Sequence, residues 1–542
     1  MTGRERIGKA FRREAVDRVP WVPFVGCHGG ALIGVAADEY LRRADLIVQG
    51  LSEAVRRYRP DGLPVMFDLQ LEAEALGCGL TWAKENPPAV TTHPLANGRR
   101  LQDLRVPGPD EARIGVVMAA ARQLCQAHPD VAWYGLITGP FTLALHLLGT
   151  DIFMAMFDTP DQVRSLLRFC TDVCLAMAGY YRAAGCEWVA LVDPMTSQIG
   201  PDQFREFVSP AVSPVFAAIR AAGGLGSFFV CGHAQQNVQA MCECGPDNIS
   251  VDENIPLQFV REVCEAKGVS FGGNLQLTSV LLLGTPADAR RNAVACLEVG
   301  GDRGYILAPG CDLPYATPPA NLEAVAEVVL DPYQREVAKS LAASAPAEDR
   351  LDLREYGQQD KVIVDIITLD SEACAPCQYM VDAVRKVAPE FEDIVEWREH
   401  KIKYRESLVF MTSLMVRNVP TICIDGRITF VSRIPPRDEL LAAIQKRINE
   451  KFRLGILQRQ GVIHLVGEES PKTAQIRAVL ERAIKELGAD VGVVSVTDPA
   501  KFPDYGLLPG QTPAVYTLKY RLRCRGYVPE VAAVREWIKD LL

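Results

Sequence analysis

The first 335 residues alternate short apolar runs with amphipathic helical segments, and this alternation constrains the fold more than any other feature. The runs are rich in β-branched and aromatic residues, and each ends at or beside Gly, Pro, Asp or Asn, as strands do. Alternating strands and helices predict an α/β fold with a parallel sheet, and eight strands favour a (β/α)8 TIM barrel. A doubly wound open sheet is the alternative, although no glycine-rich phosphate fingerprint follows the first run. The runs are RVPWVPFVG, GLPVMFD, VAWYGLITG, EWVALVDP, LGSFFVCG, NISVDE, VSFGGN and GYILAPGC.

The composition changes after the barrel region. We assign residues 1–335 to the barrel and residues 336–361, which are small, polar and charged, to a partly helical linker. Two shorter α/β units follow, at 362–452 and at 455–542. Both have the same order of predicted strands and helices, so the sequence predicts an internal duplication.

A Cys-x-x-Cys motif, Cys374 to Cys377, lies between an apolar run and a helical segment. The helix N-terminus is expected to lower the pKa of Cys374, because free N–H groups and the helix dipole stabilise a thiolate. Together with Pro420 in the later stretch NVPTICI, the motif resembles the thioredoxin and glutaredoxin superfamily. The resemblance implies a redox-active dithiol with Pro420 as the adjacent cis-proline. A zinc knuckle or an inert thiol pair is the alternative.

The second small unit lacks a dithiol. Ser470 and Thr473 stand where the two cysteines would be, and Pro513 follows Thr512 at the place of the cis-proline. Neither Ser nor Thr can form a disulfide. We therefore expect this copy to be a docking or structural module.

Charge and hydropathy narrow the partners and the compartment. Acidic residues outnumber basic ones, 67 against 58, which argues against a nucleic-acid partner because such a partner requires a basic surface. No apolar run is long and clean enough to span a bilayer, and the N-terminus lacks the apolar segment of a signal peptide. We expect a cytoplasmic protein without a membrane partner. Its sixteen cysteines are then expected to be free thiols, most of them buried.

Potential metal ligands gather at the predicted strand ends, which in a barrel face one pocket. Two thiolates and an imidazole suit Zn²⁺, and an open fourth position on such a site would bind a substrate thiol and lower its pKa. Free pocket thiols beside a loop histidine are the alternative. The candidate ligands are Cys231, Cys311, His233, Cys27 and His28.

Several stretches of the barrel region resemble the uroporphyrinogen decarboxylase superfamily, and most of all its methylcobalamin:coenzyme M methyltransferase branch. The resemblance implies a TIM-barrel zinc enzyme that moves a methyl group from a methyl-corrinoid to a thiol. Its zinc ligands would lie in a His-x-Cys-Gly stretch and in a later PGC turn. The stretches are YRPDGLPVMFDLQLEAEALGC, GLITGPFTLALHLLG, LVDPMTSQIGPDQFREFVSPAV, VDENIPL, FGGNLQLTSVLLLGTPAD and YILAPGCDLPYATPPANLEAV.

This resemblance assigns the two cysteine ligands but not the third ligand. Cys231 and Cys311 match the two cysteines, whereas Phe229 stands at the place of the histidine. His233 lies on the same side of the strand, because side chains alternate with period two, and could supply the missing ligand. Cys27 or His28 from another strand end is the alternative.

The predicted function is methyl transfer between a methyl-corrinoid and a small thiol or related acceptor. The corrinoid would be carried by a separate protein, since the chain has no DxHxxG stretch. The dithiol would keep the barrel cysteines reduced or reduce a substrate disulfide. One alternative is a redox or corrinoid-binding protein in which the Cys-x-x-Cys does the chemistry.

A uroporphyrinogen-type decarboxylase is a further alternative. Asp68 resembles the catalytic aspartate of those enzymes, with capping of the next helix as its structural interpretation. The matching N-terminal turn, PFVGCHGGALIG, carries no arginine to bind substrate carboxylates. Asp193, at the end of another run, is expected either to face the substrate or to hydrogen-bond a loop.

Overall fold

The computed structural model describes residues 1–339, 356, 361–372, 374–459, 462–507, 510–517 and 521–541. They form two compact units: the first joins the N-terminal region to Ile363–Glu392 and Trp397–Arg437, and the second contains most of the chain from Asp438 onward. The predicted linker at 336–361 lies largely outside the described residues. Among the described helices, no single one is long and apolar enough to cross a membrane. Only Pro140–Leu148 taken together with Ile152–Asp158 reaches that length, and this pair is bent by 99°.

Seven parallel strands build the main sheet of the first unit, in the order β1-β4-β5-β6-β7-β8-β9. Seven of the eight predicted runs supply these strands, and each next strand lies beside the one before it. This order makes the sheet curl, as expected for a TIM-barrel-like domain. Strands β2 and β3 come between β1 and β4 in the chain and form a separate hairpin outside this sheet. The strands are β1 (Gly62–Pro64), β2 (Gly79–Thr81), β3 (Ala89–Thr92), β4 (Ala132–Thr138), β5 (Trp188–Val192), β6 (Leu225–Val230), β7 (Asn248–Val251), β8 (Ser270–Leu275) and β9 (Tyr305–Pro309).

The first predicted run bonds to both edges of this sheet without forming a full strand. Trp21 makes a single parallel bridge to Leu307 of β9. The N–H of Leu307 donates to the carbonyl of Pro20 at 2.9 Å, and the N–H of Asp61, next to β1, donates to the carbonyl of Trp21 at 2.8 Å. Prolines at 20 and 23 lack the N–H that a longer ladder needs, so the pairing stays short.

Helices cover the outside of the curled sheet. Several begin with proline, whose fixed φ and missing N–H suit the first helical position. The helices of this region are α1 (Gly3–Phe11), α2 (His28–Leu32), α3 (Ala37–Tyr40), α4 (Ala44–Tyr58), α5 (Leu71–Ala75), α6 (Ala112–Ala127), α7 (Pro140–Leu148), α8 (Ile152–Asp158), α9 (Pro160–Ala184), α10 (Pro201–Gln203), α11 (Ser209–Ala221), α12 (Val238–Glu243), α13 (Leu257–Lys267), α14 (Pro286–Gly300), α15 (Pro319–Leu330) and α16 (Pro332–Lys339).

Three phenylalanines fill the interior of the curled sheet. Phe24, Phe67 and Phe229 pack with ring centroids 5.4–5.9 Å apart, and Phe229 is 2% exposed. Tilted and edge-to-face rings at such distances are favourable beyond the area they bury. Phe229 therefore packs between Phe24 and Phe67 inside the curled sheet.

A second sheet follows, with the order β11-β10-β12-β13. Strand β12 runs antiparallel to both of its neighbours, and a bulge interrupts its pairing with β13. We call strands β10 to β13 with helices α17 and α18 the dithiol domain. The elements are β10 (Val362–Thr368), α17 (Ala375–Val387), β11 (Val395–Lys401), α18 (Arg405–Ser413), β12 (Thr421–Ile424), β13 (Arg427–Val431) and α19 (Arg437–Arg459).

The C-terminal domain repeats this layout, with the sheet order β15-β14-β16-β17 and a bulge at the equivalent strand pair. The Ser470 side chain accepts a hydrogen bond from the N–H of Thr473 and so caps the first helix of this domain. The peptide bond Thr512–Pro513 is cis. The elements are β14 (Val462–Val466), α20 (Pro471–Leu487), β15 (Gly492–Val496), β16 (Ala514–Thr517), β17 (Arg521–Arg525) and α21 (Val531–Lys539).

Candidate active site

Two cysteine thiols meet at the carboxyl ends of the strands. Cys231 follows β6 and Cys311 follows β9, both are partly exposed, and both line one cavity. The neighbouring Cys311 thiol, together with burial, raises the pKa of Cys231 well above that of an ordinary thiol. The structure brings together the two cysteines that the sequence analysis paired, and both stay thiols at neutral pH in this arrangement.

Two glycines shape the turns that carry these cysteines. Gly232 has a φ of +88°, a conformation that favours glycine, and its N–H donates to Oδ2 of Asp252 at 2.6 Å. A Cβ at Gly310 would collide with the carboxylate of Glu253. The Cys-Gly-His and Pro-Gly-Cys sequences therefore hold the thiols by backbone geometry, and buried carboxyl groups anchor the turns.

The same carboxyl groups surround the thiols. Asp252, Glu253 and Asp312 line the cavity, and burial raises the pKa of Asp252 to about 8. Burial also raises the pKa of Asp312, whose Oδ1 accepts a hydrogen bond from the N–H of Gly26 at 2.8 Å. Carboxyl groups therefore dominate this end of the cavity. Because burial raises the pKa of Asp252 and Asp312, these two groups are largely protonated and uncharged at neutral pH.

The candidate third ligands do not complete a metal site. His233 lines the cavity but is exposed, and Cys27 lines it from a buried position. Within the described part of the chain, no group of three or more His, Cys, Asp or Glu side chains has a metal-binding arrangement. The prediction of a three-ligand zinc centre does not fit these residues.

His28 was also proposed as a ligand, and the structure assigns it another role. Its Nδ1 lies 3.1 Å from the carbonyl oxygen of Tyr315 and its Nε2 lies 2.7 Å from the hydroxyl of Tyr58. Burial lowers the pKa of His28 to about 4, so the ring is neutral. Both ring nitrogens are occupied, and His28 is a core histidine.

The Cys-x-x-Cys thiols open into the same cavity as the strand-end cysteines. Cys374 is the N-cap residue of α17, and Cys377 lies in the first turn of that helix. The neighbouring Cys377 thiol and burial raise the pKa of Cys374, whereas the sequence predicted a lowered pKa from the helix N-terminus. The direction is opposite to the prediction because the Cys377 thiol and burial, which the prediction did not include, disfavour the charged form of Cys374. Pro420, whose bond to Val419 is cis, lines the cavity as well.

The cavity has a volume of about 370 Å³. Pockets that hold small organic ligands lie in this range. Cys231 and Cys311 line its barrel side, and Cys374 and Cys377 line its opposite side. Lys403 and Arg417 of the dithiol domain add positive charge to the wall.

Hydrogen bonds from several barrel loops hold the dithiol domain over this cavity. Gln198 donates from Nε2 to the carbonyl of Ser432 at 3.0 Å and accepts from the N–H of Ile434 at 2.9 Å. Asn86 donates to the Glu372 carboxylate at 3.0 Å.

Helix α17 supplies the apolar part of the same interface. Ala375 and Tyr379 belong to the hydrophobic core cluster of the barrel region. Nδ1 of His146 in α7 lies 3.1 Å from the Tyr379 hydroxyl, and Gln378 donates to the carbonyl of Val90 in β3. The dithiol domain is thus packed against the barrel and is not merely tethered to it.

The profile of the uroporphyrinogen decarboxylase (URO-D) family matches residues 2–331. The chain belongs to the URO-D family. Its URO-D domain is similar to a methylcobamide:CoM methyltransferase of Methanosarcina acetivorans, with 28% identity over 341 residues, 60% of this chain and 97% of the relative. A methylated-thiol–coenzyme M methyltransferase of Methanosarcina mazei is 30% identical over 264 residues, 48% of this chain and 69% of that protein.

A solved structure supports the same relationship. A methyltransferase from Methanosarcina mazei superposes with a TM-score of 0.57 and 25% sequence identity, covering 63% of this chain and all of that one. The two smaller domains lie outside the matched family region.

The two aspartates predicted for the URO-D site have structural roles. Asp68 accepts from the N–H of Gln70 through Oδ1 and pairs with Arg113 through Oδ2 at 2.6 Å. Asp193 accepts from the N–H of Phe141 and from the N–H and hydroxyl of Thr142, and so caps α7. Neither residue lines the cavity. The catalytic assignment of both is not supported by these positions.

Sequence reasoning missed the contacts that join the dithiol domain to the URO-D domain. Gln198 and Gln378 carry no sequence signal, because isolated glutamines are ordinary surface residues. His146 is a fully buried histidine of α7. Its Nδ1 contacts Tyr379, whereas its Nε2 has no hydrogen-bond partner within the described residues. A buried histidine in an otherwise apolar helix was the available signal.

Proposed function

We propose that this protein is a methyltransferase that moves a methyl group between a methyl-corrinoid, carried by a separate protein, and a thiol or related acceptor. The observation that carries the proposal is the meeting of the Cys231 and Cys311 thiols at the mouth of a URO-D domain. The names of two of its relatives, a methylcobamide:CoM methyltransferase and a methylated-thiol–coenzyme M methyltransferase, support the reaction class.

The reaction requires an acceptor sulfur in line with the methyl carbon. A thiolate attacks the methyl carbon, a carbon–sulfur bond forms, the cobalt–carbon bond breaks, and its electron pair stays on cobalt. The acceptor proton leaves to water. The cavity of about 370 Å³ suits a small thiol, and its walls would hold that thiol in the attack direction. Zinc would supply thiol activation in such a reaction, but no step is assigned to it because the third ligand is missing.

We further propose that the two smaller domains are thioredoxin-like and that only the first is redox-competent. The shared sheet order, the Cys-x-x-Cys at the start of α17 and the position of Pro420 beside it support this assignment. In the C-terminal domain the helix cap formed by Ser470 takes the place of the dithiol. A cytoplasmic location would keep all of these thiols reduced.

Two other functions are alternatives to methyl transfer. A redox protein without methyl transfer would use the Cys-x-x-Cys alone, with the URO-D domain as a platform. A porphyrinogen decarboxylase would need cationic groups for the substrate carboxylates and a free aspartate. Asp68 is bound to Arg113, and the N-terminal turn holds no arginine, so the cavity favours the methyltransferase.

The test is methyl transfer from methylcobalamin to a panel of small thiols, followed by the cobalamin absorption spectrum and by mass spectrometry of the thioether. We expect turnover in the wild type and a loss of at least about 100-fold in Cys231→Ser and Cys311→Ser, because these thiols hold the reacting geometry. Cys125→Ser, a partly exposed cysteine away from the cavity, is the matched control. Equal turnover in all variants would exclude the proposed site.

A further inference from the structure

Five cysteines of this chain line one cavity, and four of them form two pairs. Cys231 and Cys311 lie on the barrel side, and Cys374 and Cys377 lie on the dithiol side; within each pair one thiol shifts the pKa of the other. A thiolate at Cys374 would raise the pKa of both barrel thiols, so the two pairs lie within electrostatic range of each other. Such proximity across a domain interface is unexpected for a thioredoxin-like dithiol that serves only external partners.

We propose that Cys374 and Cys377 reduce a Cys231–Cys311 disulfide within the same chain, so that the docked dithiol domain is a built-in reductase for the URO-D site. The proposed methyl transfer gives the reason why Cys231 and Cys311 must stay reduced, and the inference rests on the proposed function only in this respect. The exchange reaction itself depends on the shared cavity.

The missing third ligand makes the barrel pair susceptible to oxidation. Phe229 fills the position that the family resemblance assigns to a histidine, and it is packed between Phe24 and Phe67. Two adjacent thiols that no metal holds apart can form a disulfide, and an oxidised pair cannot take part in the proposed transfer.

The exchange proceeds by two attacks of thiolate on sulfur. The Cys374 thiolate attacks one sulfur of the barrel disulfide, that S–S bond breaks, and a mixed disulfide forms. The Cys377 thiolate then attacks Cys374, breaks the mixed disulfide and closes the Cys374–Cys377 disulfide. Two electrons and two protons pass to the barrel pair. A small-molecule dithiol from solution later reduces the Cys374–Cys377 disulfide.

The docking contacts keep the two pairs facing each other. Gln198, Gln378 and Tyr379 bond across the interface, and Ala375, next to Cys374, belongs to the barrel core cluster. Lys403 and Arg417 line the same cavity, and we expect their positive charge to favour the thiolates formed during exchange. Lys403 also bonds to Asp370 at 2.6 Å, which fixes its position near the start of α17.

The first experiment traps the intermediate in the full chain. Cys377→Ser removes the resolving thiol, so mild oxidation with diamide should leave a mixed disulfide from Cys374 to Cys231 or Cys311. Peptide mapping under non-reducing conditions identifies it, and the product should run as a monomer. Cys125→Ser serves as the control. The proposal fails if Cys374 of the Cys377→Ser chain reacts with glutathione but never crosslinks to a barrel cysteine.

The second experiment measures whether exchange is intrachain. A chain with Cys374→Ser and Cys377→Ser, oxidised at the barrel pair, is mixed at about 1 μM with a chain carrying Cys231→Ser and Cys311→Ser. Reduction of the barrel disulfide of the first chain by the second should be about 1,000-fold slower than reduction within the wild-type chain. In the wild type the dithiol is tethered to the barrel pair, which gives millimolar effective concentrations. Equal rates would overturn an intrachain reaction.

The two proposals fail separately. Trapping of the mixed disulfide without methyl transfer would reject the methyltransferase and keep the relay. Methyl transfer by the reduced chain without any mixed disulfide would reject the relay and keep the methyltransferase.

Discussion

The hydroxyl of Tyr379 in the dithiol domain lies 3.1 Å from Nδ1 of His146, a fully buried histidine of helix α7 in the URO-D domain. Burial lowers the pKa of His146 to about 3, so this histidine is neutral at physiological pH. Asp193 caps the N-terminus of the same helix. The contact therefore joins the dithiol domain to a helix that a buried carboxyl group fixes in place.

Tyr379→Phe should loosen the docked dithiol domain. Loss of the hydroxyl leaves both nitrogens of His146 without a bonding partner within the described structure, at a cost of about 1–3 kcal/mol. We expect faster alkylation of Cys374 by iodoacetamide and faster amide exchange in α17. Tyr180→Phe is the matched control, because it removes a bond to the carbonyl of Pro107 away from the cavity. Unchanged Cys374 alkylation would mean that this contact does not hold the interface.

The isolated chain should contain much less than one zinc per molecule. The described residues offer two thiols at the strand ends without a third ligand in place, and protein zinc sites need at least three. Elemental analysis of protein grown with added zinc measures this directly. One zinc per chain that disappears in Cys231→Ser would contradict our reading of the site.

A substitution that restores the ligand tests the same point from the other side. Phe229→His places an imidazole at the position that the family resemblance assigns to the ligand, and zinc content should rise toward one per chain. Phe24→His changes the same aromatic cluster on a different segment and should bind no additional zinc. Equal zinc in both variants would show that position 229 does not face the two thiols.

Local patterns were sufficient for the strands of the main sheet. Seven of the eight apolar runs form parallel strands, since burial on both faces demands continuous apolar residues. The first run does not form a full strand, because Pro20 and Pro23 lack the N–H groups that strand pairing needs. Both prolines are visible in the sequence. The pairing of Cys231 with Cys311 was also predictable, because both follow strands of one sheet.

Tertiary partners were not predictable in the same way. In the sequence, His28 and the adjacent Cys27 resembled a pair of metal ligands. In the structure, the carbonyl of Tyr315 and the hydroxyl of Tyr58 contact the two ring nitrogens of His28. The docking of Gln198 on Ser432 joins residues 234 positions apart, and no local periodicity records such a contact. The raised pKa of Cys374 comes from the neighbouring Cys377 thiol and from burial, whereas the sequence analysis considered only the helix N-terminus.

Asp68→Asn should reduce stability. Arg113 is 7% exposed at its side chain and bonds to Asp68 and to Glu74, so a neutral partner leaves much of its buried charge uncompensated. Breaking such a pair costs about 3–5 kcal/mol. We expect a lower urea midpoint for the variant, with residual methyl transfer in proportion to the folded fraction.

The control for this experiment is Glu74→Gln, which removes the other and more exposed partner of Arg113 and should cost less. A wild-type urea midpoint combined with complete loss of activity would restore a catalytic role to Asp68. That result would also favour the decarboxylase alternative.

Glu72→Gln should remove a pH dependence from the stability of the URO-D domain. The Glu72 side chain is buried and accepts from the N–H and the hydroxyl of Thr138, and burial raises its pKa to about 7 from an ordinary 4.5. A carboxyl group with a raised folded-state pKa stabilises fully below its unfolded pKa. That contribution is lost as the pH rises from about 4.5 to about 7, and amounts to about 3 kcal/mol.

The measurement compares the free energy of urea unfolding at pH 5 and pH 8. Wild type should lose stability across this interval, and Glu72→Gln should lose less, since an amide does not ionise. Glu53→Gln is the matched control, because hydrogen bonds from Arg56 and Arg57 hold the pKa of Glu53 at about 2, outside the interval. The same difference between pH 5 and pH 8 in wild type and in Glu72→Gln would show that Glu72 ionises normally in the folded protein.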